Sequence, residues 1–157
     1  MLLTVDAERR RDHMQQHHGQ HILSAVFERN YGWDTVGFHL GEETCTIDLN
    51  VSYVPPEVVR EVETEVNRVV MENLPVKIEC CHRKDLAPEY LKKLPPDQEE
   101  VRLVIIPGID ENACCGTHPR FTGEMEMLRG VAAAWCAKPI QVKNRPHLNG
   151  FQVGDGS

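Results

Sequence analysis

Four side chains in two pairs set the chemistry open to this chain. His17 and His21 stand four residues apart near the start, and Cys114 and His118 repeat that step much later. On a helix an i, i+4 pair lies on one face about 6 Å apart along the axis, so both imidazoles can reach one ion. A second pair supplied from a turn would close a tetrahedron. Three histidines and a cysteine form a borderline-soft set that suits Zn²⁺ better than Mg²⁺ or Ca²⁺, which prefer oxygen. The expectation is one zinc ion per chain.

Spacing alone leaves choices open. His13, His17, His18 and His21 share one predicted helix, on which His18 points about 100° away from His17 and His13 lies about 12 Å from His21. One ion cannot take all four, and both His13/His17 and His17/His21 satisfy the step. Cys114 and Cys115 are likewise adjacent within Asn112-Ala113-Cys114-Cys115-Gly116-Thr117-His118-Pro119, a segment that reads as too irregular for a simple strand.

Three stretches carry a family resemblance. They are Asp12-His13-Met14-Gln15-Gln16-His17-His18-Gly19-Gln20-His21-Ile22-Leu23-Ser24-Ala25, then Val36-Gly37-Phe38-His39-Leu40-Gly41-Glu42, and then Cys114-Cys115-Gly116-Thr117-His118 with Thr122-Gly123-Glu124. In this order they resemble the editing domain of alanyl-tRNA synthetase, and above all its free-standing AlaX-type relatives, from about Val5 to about Glu126. The resemblance selects His17, His21, Cys114 and His118 as the metal ligands, because the family's histidine pair immediately precedes Ile22-Leu23 and its ligand thiol opens the Cys-Gly-Gly-Thr-His segment. Cys115 then stands where the family has glycine. The implied fold is α+β, an antiparallel sheet with helices packed on one side, as in the editing domain of alanyl- and threonyl-tRNA synthetases.

The activity implied by the resemblance is zinc-dependent hydrolysis of the aminoacyl ester on mischarged alanine tRNA, removing serine, with glycine as a second candidate, at the acceptor end. Zinc would activate water or hold the terminal ribose and carbonyl while another group positions the water. A pocket that hydrogen-bonds the serine hydroxyl would discriminate well against alanine. Gln20, beside the second histidine, and His39 on the following strand are candidates for that contact, and Thr117 for shaping the ligand turn. Rival readings are weaker. A zinc protease needs Glu directly after its first His, where this chain has His18. An S-ribosylhomocysteine lyase expects Glu where Gln20 stands. A zinc-folded module that binds tRNA without hydrolysing it is the remaining alternative.

The 157 residues, 41% hydrophobic and 26% charged, predict one soluble domain with a core over about 5–128 and a less readable tail over 130–157. A net charge of −7 is unfavourable for RNA binding in general, but Arg9-Arg10-Arg11, Arg83-Lys84 and Lys92-Lys93 concentrate positive charge locally. Six cysteines are too few for a disulfide scaffold, and the start of the chain lacks the basic and apolar regions of a signal peptide. A cytoplasmic protein with no membrane segment is expected. Its oligomeric state is not readable.

The elements that must position the four ligands follow from periodicity. Asp6 predicts the cap of a helix over 7–29 that carries the first pair, with Asn30 and Gly32 as the stop. Strands are predicted over 35–40 and 44–50 around Gly41-Glu42-Glu43, the second half buried, with Cys45, Ile47 and Leu49 inward and Thr44, Thr46 and Asp48 outward. Pro55-Pro56 opens a second helix with an inner face of Val58, Val59, Val62, Val66, Val69 and Val70. Short strands around Val76–Cys80 and over 101–106 follow, with a helical turn from Pro88 and a Pro95-Pro96 loop between them. The second metal pair is expected in the connection directly after 106. Trp135 is read as a core seal, and the last ten or so residues as flexible.

Overall fold

The computed structural model describes residues 4–40, 45–91, 94, 97–128 and 140–144. Its first element is the helix α1, Ala7–Tyr31. The Asp6 carboxylate accepts the Arg9 backbone N–H at 3.0 Å, satisfying one of the donors a helix start leaves open. Gly32 ends the helix at φ 66°, a left-handed conformation glycine adopts cheaply, its N–H reaching the Glu28 carbonyl and the Trp33 N–H the Phe27 carbonyl.

Strands β1, Thr35–Leu40, and β2, Cys45–Leu49, form the predicted antiparallel hairpin. The strand β6, Ile140–Asn144, runs parallel to β2 on its other side, so β2 is the middle strand of a three-stranded sheet. This corrects the expectation of a half-buried β2. All five of its residues are buried, Thr46 and Asp48 included; on the outward face the Asp48 carboxylate sits against Gly37 of β1, with His39 Nε2 3.5 Å from its Oδ2.

Helix α2, Pro56–Met71, starts with proline at a position where the missing N–H costs nothing. Its Val62, Val66, Val69 and Val70 pack with Ile22, Leu23, Val26 and Phe27 of α1 and with Cys45, Ile47 and Leu49 of β2, and this apolar cluster is the core. A second sheet, antiparallel throughout, has the order β3-β4-β5, with β3 at Lys77–His82, β4 at Glu100–Ile106 and β5 at Asp110–Ala113. The predicted turn at Pro88 is the short helix α3, Pro88–Leu91. The fold is α+β, as expected, with its strands divided between two sheets.

Strand β5 alters where the second pair is launched. The sequence places Cys114 in the connection after β4, but the chain first turns back to pair Ala113 with Leu103, and the Cys114 N–H continues that ladder to the Arg102 carbonyl at 2.9 Å. Polar Asp110, Glu111 and Asn112 hide this strand from an apolar alternation. The Gly41-Glu42-Glu43 turn, Thr44, Lys92-Lys93, the Pro95-Pro96 loop, Trp135 and the end of the tail lie outside the described residues. Among the described residues no helix is long and apolar enough to cross a membrane.

Candidate metal centre

His17 and His21 are adjacent on one face of α1, with ring centroids 5.0 Å apart. The turn after β5 brings His118 against both, at 4.8 Å from His17 and 4.7 Å from His21. Cys114 lies among the three rings, its Sγ 3.1 Å from His17 Nε2 and 3.4 Å from His118 Nε2. One donor atom from each of His17, His21, Cys114 and His118 lies within 4.8 Å of all the others, so the group can hold a metal ion. The two short separations approach the roughly 3.5 Å between nitrogen and sulfur in a tetrahedral site with bonds of about 2.0–2.3 Å. His13 is not in the group. It lines a groove of about 300 Å³ with Val5, Asp6, Arg9, Arg10 and Thr117.

Each half has its own support. On the helix side, His21 Nδ1 is 2.8 Å from Asp110 Oδ2, and both side chains are buried. The imidazole N–H donates to the carboxylate, which leaves Nε2 toward Cys114. On the turn side, His118 Nδ1 is 2.9 Å from Nδ1 of the fully buried His18. Arg102 Nη1 donates to the carbonyls of Cys114 at 2.7 Å and Gly116 at 3.0 Å, fixing the curvature of the turn from strand β4. Gly116 has no side chain where one would collide with the His17 ring, so the turn can close on the helix only with glycine there. Its N–H points at Cys114 Sγ, 3.3 Å away.

The electrostatics at Cys114 suit a cation. Burial pushes the Cys114 thiol up, but hydrogen bonds from His118, His17 and His21 and from the Gly116 N–H outweigh it and hold the group at about 3, a thiolate. Burial pulls His21 down, and the hydrogen bonds to Asp110 and Cys114 reverse this and raise it to about 9. Burial, followed by the neighbouring His118, His21 and His17 rings, lowers His18 to about 3, which keeps it neutral. His118 is also lowered, chiefly by burial, against the opposing pull of Cys114.

Downstream of the turn, the Thr122-Gly123-Glu124 stretch serves as an anchor. The buried Thr122 hydroxyl donates to the Val69 carbonyl and accepts the Leu74 N–H, each at 2.8 Å, while Gln15 Nε2 reaches the Glu124 carbonyl at 3.2 Å. The chain leaving His118 is thereby tied to both long helices.

The other sequence candidates stand apart from the cluster. Gln20 donates to Ser24 Oγ at 2.9 Å, one turn along α1, and Ser24 also accepts from Thr35 Oγ1 at 2.7 Å. His39 is exposed and directed to Asp48. Thr117 is exposed at the edge of the Arg9–Arg10 groove, next to His118. Cys115 is exposed, and its φ is not positive, so its backbone is one any residue can adopt. A larger hollow, about 530 Å³ between His82, Arg83, Lys84, Leu86 and Glu99, contains none of the four cluster residues.

Sequence reasoning missed Asp110, Arg102 and the role of His18. The available signals were slight: an acid four residues before Cys114, an arginine inside the most apolar strand, and a histidine whose direction on the helix differs from that of its neighbour.

Comparison with known proteins places this chemistry in context. No protein-family model matches the chain. It is 36% identical over 134 residues to the alanyl-tRNA editing protein Aarsd1-B of Xenopus laevis, a match covering 82% of this chain and 32% of that protein. It is 38% identical over 128 residues to Aarsd1 of Rattus norvegicus, covering 80% and 31%, and 35% identical over 129 residues to the alanyl-tRNA editing protein AlaX-L of Pyrococcus horikoshii, covering 81% and 32%. The matches span about a third of the length of these relatives.

Proposed function

We infer that this chain, homologous over four fifths of its length to the alanyl-tRNA editing proteins, is a zinc-dependent hydrolase of the ester linking a wrong amino acid to alanine tRNA, with serine as the first substrate. The observation that carries this reading is the convergence of His17, His21, Cys114 and His118, with a buried outer partner on the Nδ1 of two of the three rings. That donor set fits zinc. Thiolate and imidazole are its preferred ligands, and a carboxylate on the far nitrogen of a ligating histidine is its common support. The chemistry zinc supplies in such a site is Lewis-acid polarisation of the carbonyl and stabilisation of the charge that develops on it.

The residues do the positioning. Arg102 and Gly116 hold Cys114 and His118 against α1, and Asp110 orients His21. The groove of Arg9, Arg10, His13 and Thr117 opens beside His118 and gives the phosphates of an RNA 3′ end a basic approach in an otherwise acidic chain. Arg10 and His17 are seven residues apart on α1, roughly 10 Å along the axis, within reach of an extended terminal nucleotide. Of the three polar candidates, Thr117 stands where this approach meets the cluster, while Gln20 and His39 are engaged with Ser24 and Asp48. We assign the hydroxyl contact to Thr117 first. The 157 residues form one functional domain on this reading, active in trans on tRNA already charged.

The test is hydrolysis of serine-charged and alanine-charged alanine tRNA by the zinc-loaded protein, beside His21→Ala and a chelated sample. Selective loss of serine, abolished in both controls, supports the enzyme. A folded, zinc-bound protein that retains tRNA without deacylating it makes the chain a binding module.

A further inference from the structure

His18, the partner of His118 Nδ1, is not itself one of the four cluster residues, yet it is fully buried beside them. The single step from His17 turns its side chain about 100° around α1, away from the shared donor region and behind His118. There the two Nδ1 atoms meet at 2.9 Å. Two ring nitrogens at that distance need one hydrogen between them, so one ring donates and the other accepts. His118 presents Nε2 to Cys114 Sγ at 3.4 Å. A nitrogen that ligates a metal must offer its lone pair, so a ligating neutral His118 carries its hydrogen on Nδ1 and donates it outward. The atom that receives it is His18 Nδ1. His18 must then hold its own hydrogen on Nε2, which has no hydrogen-bond partner among the described residues.

We propose that His18 is a positioning residue of the metal centre: a neutral buried imidazole that accepts the His118 Nδ1–H, selects the tautomer in which His118 Nε2 is a ligand, and fixes its ring plane. The inference rests on reading His17, His21, Cys114 and His118 as the ligand set. His18 thus serves the turn half of the site as Asp110 serves the helix half, with a difference in chemistry. A carboxylate can only accept, whereas an imidazole can accept at Nδ1 only by placing its hydrogen on Nε2. The role puts a hydrogen on Nε2, and leaving that donor buried without a partner among the described residues is a cost the role must offset.

The experiment measures Zn²⁺ affinity by competition with a chromophoric chelator for the wild type, His18→Leu and His18→Asn. Leucine fills the site without an acceptor, whereas the asparagine amide oxygen falls near the place of Nδ1. His18→Leu should bind zinc about 10- to 100-fold more weakly, the usual cost of losing an outer partner, and His18→Asn should recover most of the loss. Wild-type affinity in His18→Leu overturns the inference, as does an asparagine variant no better than leucine, which would reduce the residue to packing. If His18→Leu does not fold, the zinc-loaded wild type decides by long-range proton–nitrogen NMR of labelled histidine: His118 protonated on Nδ1 and His18 on Nε2 support the inference, and His18 protonated on Nδ1 overturns it. A wild type that binds no zinc removes the ligand set itself and the inference with it.

Discussion

The two halves of the candidate metal site reach the same point by different means. His17 and His21 are placed by the regular geometry of α1, one turn apart on a helix whose middle is buried by the core. Cys114 and His118 share the same spacing, but their segment has no repeating backbone hydrogen bonds to hold it. Its shape depends on Arg102 binding two carbonyls, on the bare Gly116, and on the Thr122 anchor further along. The helix half inherits its precision from secondary structure. The turn half must assemble it from individual contacts, so single substitutions there should be felt more strongly.

The largest effect should come from removing a ligand. Cys114→Ala takes away the thiolate around which all three rings gather, and zinc affinity should fall by more than the roughly 100-fold upper cost of losing an outer partner. Isothermal titration with Zn²⁺ reads this directly, and affinity near wild type would show that Cys114 is not a ligand. Next is Gly116→Ala. The added methyl meets the His17 ring, so the turn must move away from the helix, and affinity should drop at least 10-fold while α1 and α2 keep their circular dichroism. Unchanged zinc binding in this variant would mean that the turn does not close on His17 in solution.

Supports can then be compared across the halves. Asp110→Asn keeps a hydrogen-bond acceptor but loses the charge behind His21, so a loss of about 10-fold is expected, at the lower end of the outer-partner range. Arg102→Met removes two charge-assisted bonds that curve the turn, each worth about 1.5–3 kcal/mol when such a bond is lost from a sheltered site. It should lower the thermal midpoint of the chelated protein as well as zinc affinity, whereas Asp110→Asn should act mainly on affinity. If Arg102→Met leaves both quantities unchanged, the contrast between the halves fails.

Much of this arrangement is legible in the sequence. The cap at Asp6, the stop at Gly32, the valine face of α2 and the β1–β2 hairpin are local patterns, and local patterns are written in neighbouring residues. The four cluster residues were legible because two i, i+4 steps and a family motif coincide on them. What escaped depends on contacts between distant segments. Asp48 reads as a solvent-facing residue from the alternation of β2, yet it is buried against Gly37 and beside His39 of the neighbouring strand. Asp110 belongs to a strand too polar to be recognised, and its partner is 89 residues earlier. His18 points away from His17, as the helix requires, and that direction acquired meaning only once His118 was found behind it. The Cys-for-Gly change at position 115 places an exposed side chain on a backbone without positive φ, so the local conformation does not demand glycine there.

The central claim is that His17, His21, Cys114 and His118 form one zinc site. Zinc X-ray absorption on the protein purified without added chelator, with metal content counted in parallel, tests it most directly. The account predicts one zinc per chain with a sulfur neighbour near 2.3 Å and imidazole nitrogens near 2.0–2.1 Å. A protein that retains no zinc, or a zinc shell without sulfur, would contradict it.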